Sequence, residues 1–274
     1  MIGNDKKRHI LKTISYRILT SLLTFMIAWI ITGNIHAALG IGSIEVILKM
    51  IVYYYHERFW FKKIRFRKEI SRPPNLHPKL LGISQEDREK LLNQKSHVIW
   101  LTGLPASGKS TIAEELEKKL ASEGYKTFIL DGDNTRWGIN ADLGFTSWDR
   151  EENIRRVSEI AKLLSDAGFV VITSFISPYI RSREKAKEII GEDKFKEIHI
   201  STSLEDCSRR DPKGLYKKAF AGEIKQFTGV SDPYEIPEYP FLRIDAGTDG
   251  DDKLMEYADL IYKNIIPYIK QKRG

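Results

Sequence analysis

The chain has 274 residues, a formal net charge of +7 and a single cysteine, which leaves room for one ordinary domain and a smaller piece. The charge is uneven: residues 1–83 contain 14 Lys and Arg against 4 Asp and Glu, a net +10, whereas the remaining residues contain 30 against 33, a net −3. The single cysteine excludes an intrachain disulfide. The charge balance of residues 84–274 does not indicate a nucleic-acid-binding surface, whereas the positive charge of residues 1–83 indicates a basic segment that faces a membrane.

Two apolar stretches dominate the beginning of the chain. Residues 14–31 are apolar apart from hydroxyl side chains and one arginine, and residues 35–55 follow after a Gly-Asn break. Each stretch is long enough to cross a bilayer core as a helix. A signal peptide is disfavoured because a second apolar run follows and no small-residue cleavage site is evident. A buried soluble hairpin would accommodate Glu45 and Lys49, but we favour a two-helix transmembrane hairpin.

The flanking charges orient this predicted hairpin. Basic residues precede the first stretch and follow the second, whereas the connection between them has none. By the positive-inside rule, both ends lie in the cytoplasm. Residues 1–70 are therefore predicted to be a membrane domain of the cell membrane, in contact with the lipid bilayer. A proline-rich linker at 71–83 is predicted to lead into a cytoplasmic domain at 84–274, because its prolines cannot continue a helix.

The N-terminal part resembles a small two-helix membrane domain of unknown function. The resemblance covers roughly residues 8–62 and rests on KTISYR at 12–17, TGN at 32–34 and YYHER at 54–58. It implies a membrane location and no activity.

Residues 103–111 fit G-x-x-x-x-G-K-[ST], the phosphate-binding loop of nucleotide-using enzymes. The predicted nucleotide-binding residues are Gly103, Leu104, Pro105, Ala106, Ser107, Gly108, Lys109, Ser110 and Thr111. Glycines and small residues let backbone N–H groups wrap a phosphate, and the following helix adds its positive N-terminal end. Lys109 can neutralise the β- and γ-phosphates, and the Ser110 hydroxyl can hold Mg²⁺. A buried strand predicted at 98–102 and an amphipathic helix after the loop provide the setting that this motif requires.

A second predicted strand, at 126–130, leads into Asp131-Gly132-Asp133-Asn134. Carboxylates at the carboxyl end of a parallel strand face the nucleotide crevice. One of Asp131 and Asp133 can hold Mg²⁺ through water, and the other can accept a proton from an attacking hydroxyl. Beside a phosphate-binding loop, this pair predicts phosphoryl transfer to a hydroxyl group.

Strands and helices alternate through the rest of the chain. The predicted elements are a helix at 149–167, strands at 170–175 and 196–200, and a final helix at 254–269. We expect Asp149 to cap the first of these helices. The alternation predicts an α/β fold with a parallel sheet covered by helices on both faces. Residues 209–218 are rich in Lys and Arg, which suits a lid over phosphates, and Arg136 and Arg150 could clamp an anionic substrate.

Together these motifs closely resemble adenylylsulfate kinase, the enzyme that phosphorylates the 3′-hydroxyl of adenosine 5′-phosphosulfate. The similarity covers about residues 80–240. The matching segments are 103–111, 130–134, 140–145, 149–156, 174–179, 210–218 and 222–234. The resemblance implies a P-loop kinase fold, ATP and Mg²⁺ as cofactors, and a product with both a 5′-phosphosulfate and a 3′-phosphate. We also expect a homodimer, no nucleic-acid partner and, as a hypothesis, a membrane sulfotransferase that receives the product.

The resemblance also implies roles for single residues. It places Asp131 and Asp133 at the metal-water and 3′-hydroxyl positions without fixing their order, and Ser110 and Asp131 form the predicted metal site. The predicted catalytic residues are Lys109, Asp131, Asp133 and Ser177. Ser177 matches a serine often assigned as a phospho-enzyme intermediate, a step that direct in-line transfer does not need. The predicted substrate-binding residues are Arg136, Phe145, Arg150, Asn153, Ile176, Lys213 and Phe227.

Two other functions stay open at this point. One is a related P-loop kinase that acts on another small alcohol, and the other is a membrane scaffold that binds a nucleotide without turnover. The intact loop lysine and the Asp131/Asp133 pair argue against the scaffold. The positions that depart from the usual family pattern are Trp137, Ile139, Ile180 and Phe220. None of them removes a group that the chemistry needs.

Overall fold

The structure is a computed structural model of the chain, and it describes residues 20–21, 23–63, 82–247 and 251–271. The chain divides into two compact units between Pro78 and Lys79. The start of the first predicted membrane stretch, the basic residues before it and most of the predicted linker at 71–83 lie outside the described residues.

The N-terminal unit contains two helices joined by a tight turn. Residues 23–32 are helical, Gly33 adopts a φ of +64°, and helix α1 (Ile35–Lys63) follows. Asn34 Oδ1 accepts hydrogen bonds from the backbone N–H groups of His36 at 2.9 Å and Ala37 at 3.3 Å. These bonds satisfy donors in the first turn of α1 that have no partner within the helix.

The two helices of this unit run antiparallel. Thr24 Oγ1 donates a hydrogen bond to Glu45 Oε1 at 2.8 Å, and Glu45 forms an ion pair with Lys49, one turn further along α1. The spacing of four residues places these two charges on one helical face. Ala28 and Ala38 are buried, which agrees with a close approach of the helices at small side chains.

Many large apolar side chains of the N-terminal unit are exposed. Those exposed over more than half of their surface include Leu23, Met26, Ile30, Ile31, Leu39, Ile44, Leu48, Ile51, Val52 and Tyr55. A large exposed apolar surface is typical of a site that contacts a protein or a membrane. Within the described ranges, no helix combines the length and the apolar character that crossing a membrane requires.

The C-terminal unit is built on a five-stranded sheet. Its strands are β1 (Val98–Thr102), β2 (Thr127–Asp131), β3 (Val170–Ser174), β4 (Phe195–Ile200) and β5 (Leu242–Ile244). Its helices are α2 (Gln85–Leu92), α3 (Lys109–Ser122), α4 (Gly132–Trp137), α5 (Ser147–Asp166), α6 (Ile180–Ile190), α7 (Leu204–Arg210), α8 (Leu215–Phe220) and α9 (Asp251–Ile269). The strand order is β2-β3-β1-β4-β5, and each pairing is parallel.

Helices cover both faces of this sheet. Ile99 and Leu101 of β1 belong to a core that includes residues of α3 and α9, whereas Val98 and Trp100 belong to a second core with residues of α5 and α6. Successive side chains of a strand alternate between the two faces of a sheet. A strand buried on both faces therefore has the continuous apolar sequence found here. The predicted α/β fold with a covered parallel sheet is confirmed.

Helix α5 begins earlier than predicted. Its N-cap is Thr146, whose Oγ1 accepts a hydrogen bond from the Asp149 N–H at 3.2 Å, while the Asp149 carboxylate accepts one from the Thr146 N–H at 3.1 Å. Asp149 is therefore the acidic partner in a capping box, and the prediction that it caps the helix is wrong. Asp149 lies at a position where Glu is more usual, which hides this pattern in the sequence.

Candidate active site

The phosphate-binding loop connects the carboxyl end of β1 with α3. A Cβ atom on Gly103 would lie 2.5 Å from the carbonyl oxygen of Ile200, so a side chain at this position would collide with the end of β4. Gly108 is the N-cap of α3 and adopts a φ of +95°, which also favours glycine. This strand–loop–helix geometry presents backbone N–H groups and the positive end of a helix dipole to an anion.

Lys109 is folded back over this loop. Its Nζ donates hydrogen bonds to the Leu104 carbonyl oxygen at 2.6 Å and to Ser107 Oγ at 3.2 Å. Burial lowers the pKa of Lys109 to about 8, and the nearby Cys207 and Asp131 only partly oppose that shift. Among the described residues, Lys109 takes part in no ion pair. A phosphate bound in the loop would therefore supply the charge partner that Lys109 lacks.

Oxygen atoms from three elements meet beside the loop. Ser110 Oγ donates a hydrogen bond to Asp131 Oδ2 at 3.0 Å and lies 3.1 Å from Ser174 Oγ. Asp131 and Ser174 are neighbours in the β2–β3 register, which explains why the end of β3 joins the cluster. The sequence interpretation missed Ser174, although the polar residue that ends an apolar strand was a signal.

The donor set fits Mg²⁺ better than a metal held by protein ligands alone. The described part of the chain contains no group of three or more His, Cys, Asp or Glu side chains placed to hold a metal ion. Mg²⁺ in phosphoryl-transfer sites uses one or two carboxylates and takes its remaining ligands from water and phosphate oxygens. The hydroxyl of Ser110 and the carboxylate of Asp131 match that requirement.

The two aspartates of the Asp-Gly-Asp sequence have different surroundings. Asp131 Oδ1 caps α4 by accepting hydrogen bonds from the N–H groups of Asp133 at 2.9 Å and Asn134 at 3.4 Å. The Asp133 side chain is 74% exposed and forms an ion pair with Lys213, whose side chain is 63% exposed. Exposed ion pairs contribute little to stability, so this pair can separate at small cost when a ligand enters.

Arg136 and Phe145 lie together near the same edge of the sheet. The Arg136 guanidinium is 4.7 Å from the centroid of the Phe145 ring and donates a hydrogen bond to the Gly144 carbonyl oxygen at 2.8 Å. Phe145 is 63% exposed. A cation beside an exposed aromatic ring suits a ligand that has both an anionic group and a base.

Arg150 and Asn153 of α5 are buried, and their polar groups contact other parts of the protein. The partners of the Arg150 guanidinium are Phe145 O at 2.9 Å, Gln226 O at 2.5 Å, Thr228 Oγ1 and, at 3.8 Å, Asp232 Oδ2. Asn153 Oδ1 accepts a hydrogen bond from Asn140 Nδ2 at 3.0 Å. Arg150 therefore fastens residues 226–232 to α5, beside Phe145.

Ser177 lies in the β3 loop, which we define as residues 175–179. It is 2% exposed and adopts a φ of +39°. Its Oγ accepts a hydrogen bond from Trp100 Nε1 at 3.2 Å and donates one to Thr102 Oγ1 at 2.9 Å. The neighbouring Ile176 is half-buried. The structure thus places the Ser177 hydroxyl in a buried hydrogen-bond network.

Phe227 belongs to a small core between the phosphate-binding loop and α8. The rings of Phe227 and Tyr216 meet edge to face with centroids 4.8 Å apart, and Leu104 and Ala106 of the loop pack against this cluster. Tyr216 also donates a hydrogen bond from its hydroxyl to the Pro105 carbonyl oxygen at 3.0 Å. The sequence interpretation missed Tyr216, whose only signal was an aromatic residue within a cation-rich segment.

Comparison with known proteins agrees with this geometry. Residues 95–245 match the family described as Adenylylsulphate kinase, and residues 10–61 match the family described as Predicted membrane protein (DUF2061). The chain is 53% identical over 191 residues to the adenylyl-sulfate kinase of Clostridium acetobutylicum, an alignment that covers 70% of this chain and 92% of the relative. It is 57% identical over 175 residues to the bifunctional enzyme NodQ of Rhizobium tropici, of which it covers 28%, and that alignment covers 64% of this chain.

A solved structure shows the same similarity. The Mycobacterium tuberculosis APS kinase CysC in complex with AMPPNP and APS superimposes with a TM-score of 0.59 at 44% identity, over 62% of this chain and 98% of that one. With more than half of its residues matched by the family, the chain belongs to the adenylylsulphate kinase family.

Proposed function

We propose that the chain transfers the γ-phosphoryl group of ATP to the 3′-hydroxyl of adenosine 5′-phosphosulfate, giving 3′-phosphoadenosine 5′-phosphosulfate and ADP. The observation that carries this proposal is the phosphate-binding loop with Ser110 hydrogen-bonded to Asp131, in a chain of this kinase family. The Mycobacterium tuberculosis relative was solved with AMPPNP and APS, which supports the same two ligand classes here.

Mg²⁺ completes the proposed nucleotide site. Ser110 would hold it directly through its hydroxyl, and Asp131 would hold it through water. When bound, the ion would neutralise charge on the phosphate oxygens. Lys109 would bind the β- and γ-phosphates from the other side of the loop, and closure of residues 209–218 would exclude water from the transferred group.

We assign the proton-accepting role to Asp133. The oxygens of Asp131 already accept hydrogen bonds from two backbone N–H groups and from Ser110, whereas the exposed carboxylate of Asp133 is paired with Lys213. In this proposal, Lys213 leaves Asp133 when adenosine 5′-phosphosulfate binds and contacts the anionic substrate instead. Asp133 is then free to accept the proton of the 3′-hydroxyl as that oxygen attacks the γ-phosphorus.

We assign contacts with the acceptor to the other predicted substrate residues. Phe145 would stack on the adenine, and Arg136 would contact the negative charge of the phosphosulfate. Arg150 would act by holding residues 226–232 in place, because its Nε, Nη1 and Nη2 atoms each donate a hydrogen bond within the protein. Further contacts are proposed for Asn153, Ile176 and Phe227.

The test is product formation by the full chain with ATP, Mg²⁺ and adenosine 5′-phosphosulfate, followed by chromatography of the nucleotides. We expect 3′-phosphoadenosine 5′-phosphosulfate and ADP in equal amounts. ATP hydrolysis without this product would contradict the proposal, and phosphorylation of another small alcohol would favour a related P-loop kinase. Nucleotide binding without any turnover would favour a scaffold.

We further propose that residues 1–70 anchor the enzyme in the cell membrane as a two-helix hairpin, with the kinase part in the cytoplasm. The match of residues 10–61 to a family of predicted membrane proteins, the exposed apolar side chains and the flanking basic residues support this. After lysis without detergent, the full chain should sediment with membranes and a variant that begins at residue 79 should not. Recovery of the full chain in the soluble fraction would contradict the anchor.

Two protein partners complete the proposal. We expect the chain to form a homodimer, which light scattering of the purified protein can measure.

We also propose that a membrane sulfotransferase consumes the product, since an anchored kinase would deliver the sulfate donor at the membrane. Co-purification of such an enzyme that is lost on deletion of residues 1–70 would support this, and co-purification that survives the deletion would contradict it.

A further inference from the structure

We propose that Thr102 is a positioning residue for the acceptor side of the site. Thr102 is the last residue of β1 and directly precedes Gly103 of the phosphate-binding loop. Its hydroxyl connects this strand end to the β3 loop and to residues 232–237, which we call the proline segment. The inference deepens the proposed function and rests on it, because Ile176 of the β3 loop is a proposed acceptor contact.

Four polar groups meet at the Thr102 hydroxyl or next to it. Thr102 Oγ1 lies 2.8 Å from the Ile176 carbonyl oxygen, 2.9 Å from Ser177 Oγ and 3.0 Å from the Tyr234 hydroxyl. Ser177 Oγ in turn lies 3.2 Å from Trp100 Nε1. These groups come from β1, the β3 loop and the proline segment, which are far apart in the sequence.

The direction of each hydrogen bond in this network follows from the chemistry of its members. The indole N–H of Trp100 can only donate, so Ser177 Oγ accepts from it and uses its own proton toward Thr102. The carbonyl oxygen of Ile176 can only accept, so it takes the single proton of Thr102. The hydroxyl of Tyr234 must then donate to Thr102. Every hydroxyl proton in the network is used once, and Thr102 occupies the centre.

The β3 loop and the proline segment are also fastened to each other. Arg183 donates one hydrogen bond to the Ser177 carbonyl oxygen and another to the Glu235 carbonyl oxygen, both at 2.7 Å. The Glu235 N–H donates to the Pro178 carbonyl oxygen at 2.8 Å. The two segments therefore form one layer, and the Thr102 hydroxyl joins this layer to the strand that carries the phosphate-binding loop.

The backbone of the β3 loop needs such support. Ser177 adopts a φ of +39°, a conformation that a residue with a Cβ atom keeps only when its surroundings enforce it. Without the Thr102 hydroxyl, the Tyr234 proton loses this acceptor, the Ile176 carbonyl loses this donor, and the Ser177 proton is left with the Phe175 carbonyl oxygen at 3.5 Å. The β3 loop would then shift, and Ile176 with it.

The phosphate-binding loop has other supports that do not involve Thr102. Gly103 packs against the end of β4, and the Tyr216 hydroxyl holds the Pro105 carbonyl oxygen. Loss of the Thr102 hydroxyl should therefore weaken binding of adenosine 5′-phosphosulfate and leave binding of ATP nearly intact. A residue that only stabilises the fold would not separate the two substrates in this way.

Thr102→Val in the full chain tests the inference, because valine keeps the shape of threonine and removes the hydroxyl. We expect the KM for adenosine 5′-phosphosulfate to rise about tenfold and the KM for ATP to change less than about twofold. Thr102→Ser restores the hydroxyl and should restore the acceptor KM to within about threefold of the parent value.

Thr173→Val is the matched control. Thr173 lies in β3 beside Trp100 of β1, is buried, and its Oγ1 has no hydrogen-bond partner among the described residues. The same substitution there removes an unbonded hydroxyl from the neighbouring strand, so both KM values should stay within about twofold. Equal effects of Thr102→Val and Thr173→Val, or an equal rise of both KM values in Thr102→Val, would overturn the inference.

Two further measurements keep the inference separate from the proposed function and from misfolding. In Thr102→Val, the calorimetric Kd for adenosine 5′-phosphosulfate should rise while the Kd for AMPPNP stays nearly unchanged. These Kd values do not depend on turnover. If the parent chain binds both ligands without forming product, the proposed function fails while the Thr102 comparison still stands.

If Thr102→Val does not fold, Tyr234→Phe provides a second variant, because it removes one hydrogen bond of the network. Tyr234→Phe should raise the Kd for adenosine 5′-phosphosulfate alone, and an unchanged Kd for this ligand would overturn the inference.

Discussion

At Lys109, a buried ammonium group donates hydrogen bonds to a backbone carbonyl oxygen and a hydroxyl, both neutral, and burial lowers the pKa of Lys109 to about 8. A bound triphosphate would supply negative charge at this position, and that charge shifts toward the leaving oxygen during transfer. We therefore expect Lys109→Met to reduce turnover by at least about 100-fold, the loss typical of removing one charge-stabilising group. Initial rates at saturating substrates measure this effect.

A lysine elsewhere on α3 provides the control for this prediction. Lys118 is exposed and forms an ion pair with Glu115 on the surface of the same helix. Lys118→Met should keep turnover within about twofold of the parent chain, because surface ion pairs contribute little. Comparable losses in both variants would mean that Lys109 acts through the stability of α3 and not through phosphate.

Ser177 gives the second prediction at the scale of single residues. Its hydroxyl is buried and hydrogen-bonded to Trp100 and Thr102, so it has a structural use that needs no phosphorylation. We expect Ser177→Ala to keep at least about one-tenth of the turnover, in line with the loss of about one buried hydrogen bond. Intact-protein mass spectrometry of the parent chain incubated with ATP should show no added phosphate. Complete loss of turnover, together with a phosphate on Ser177, would establish a covalent intermediate.

Among the elements, the cation-rich segment between α7 and α8 has the clearest consequence for function. Lys213 from this segment pairs with Asp133 at the end of β2, and both side chains are largely exposed. We expect Lys213→Met to lower kcat/KM for adenosine 5′-phosphosulfate about tenfold, since the variant lacks the cation that would pass from Asp133 to the substrate. Lys218→Met changes an exposed lysine of α8 and should have less than a twofold effect. Equal effects of the two variants would show that only the total charge of the segment matters.

Strands β1 and β2 were predictable from the sequence, whereas the six-residue helices α4 and α8 were not. Strand β1 has the predicted bounds because the run VIWLT is buried on both faces of the sheet. Strand β2 is shifted by one residue from the predicted bounds. The sequence analysis predicts no helix at the positions of the six-residue helices α4 and α8. Helix α4 depends on the Asp131 cap, which the sheet positions, and α8 depends on burial of Tyr216 and Ala219. Such tertiary contacts leave no periodic pattern in six residues.

The residues of the candidate site also fall into those that the sequence predicted and those that it did not. The loop at 103–111 and the Asp131/Asp133 pair were found because their spacing along the chain is fixed by local geometry. Thr102, Ser174 and Tyr216 were missed because their partners lie more than 60 residues away in the sequence. Contacts of that kind depend on the strand order, and a single sequence does not encode the strand order in any local motif.

For the molecule as a whole, the charge distribution follows the division into two units. The boundary between Pro78 and Lys79 falls inside the predicted linker at 71–83, close to the point where the sequence changes from a net +10 to a net −3. The two family matches, at 10–61 and 95–245, lie on opposite sides of it. The presence of a basic apolar unit and an acidic kinase unit in one chain agrees with the proposal that only the former contacts the anionic surface of a membrane.

The stability of the kinase unit should fall in mild acid because of a buried histidine. His199 is 4% exposed, stacks on Tyr234 with ring centroids 5.8 Å apart, and its Nδ1 has no hydrogen-bond partner within the described part of the chain. Burial, with smaller contributions from Arg243 and Arg183, lowers the pKa of His199 to about 4. Between the ordinary pKa of about 6.5 and this value, the unfolded chain binds a proton that the folded chain does not, so stability is lost as the pH falls through that range.

His199→Phe tests this account of acid sensitivity, because phenylalanine can keep the contact with Tyr234 and cannot be protonated. From the two pKa values, we expect the parent chain to lose about 2 kcal/mol more unfolding free energy than the variant between pH 7 and pH 4.5. Calorimetric unfolding of the kinase unit in both full-length proteins, at a series of pH values, measures the difference. Parallel pH profiles for the two proteins would show that His199 is not the group responsible, since a charge that is absent from the variant cannot shape its profile.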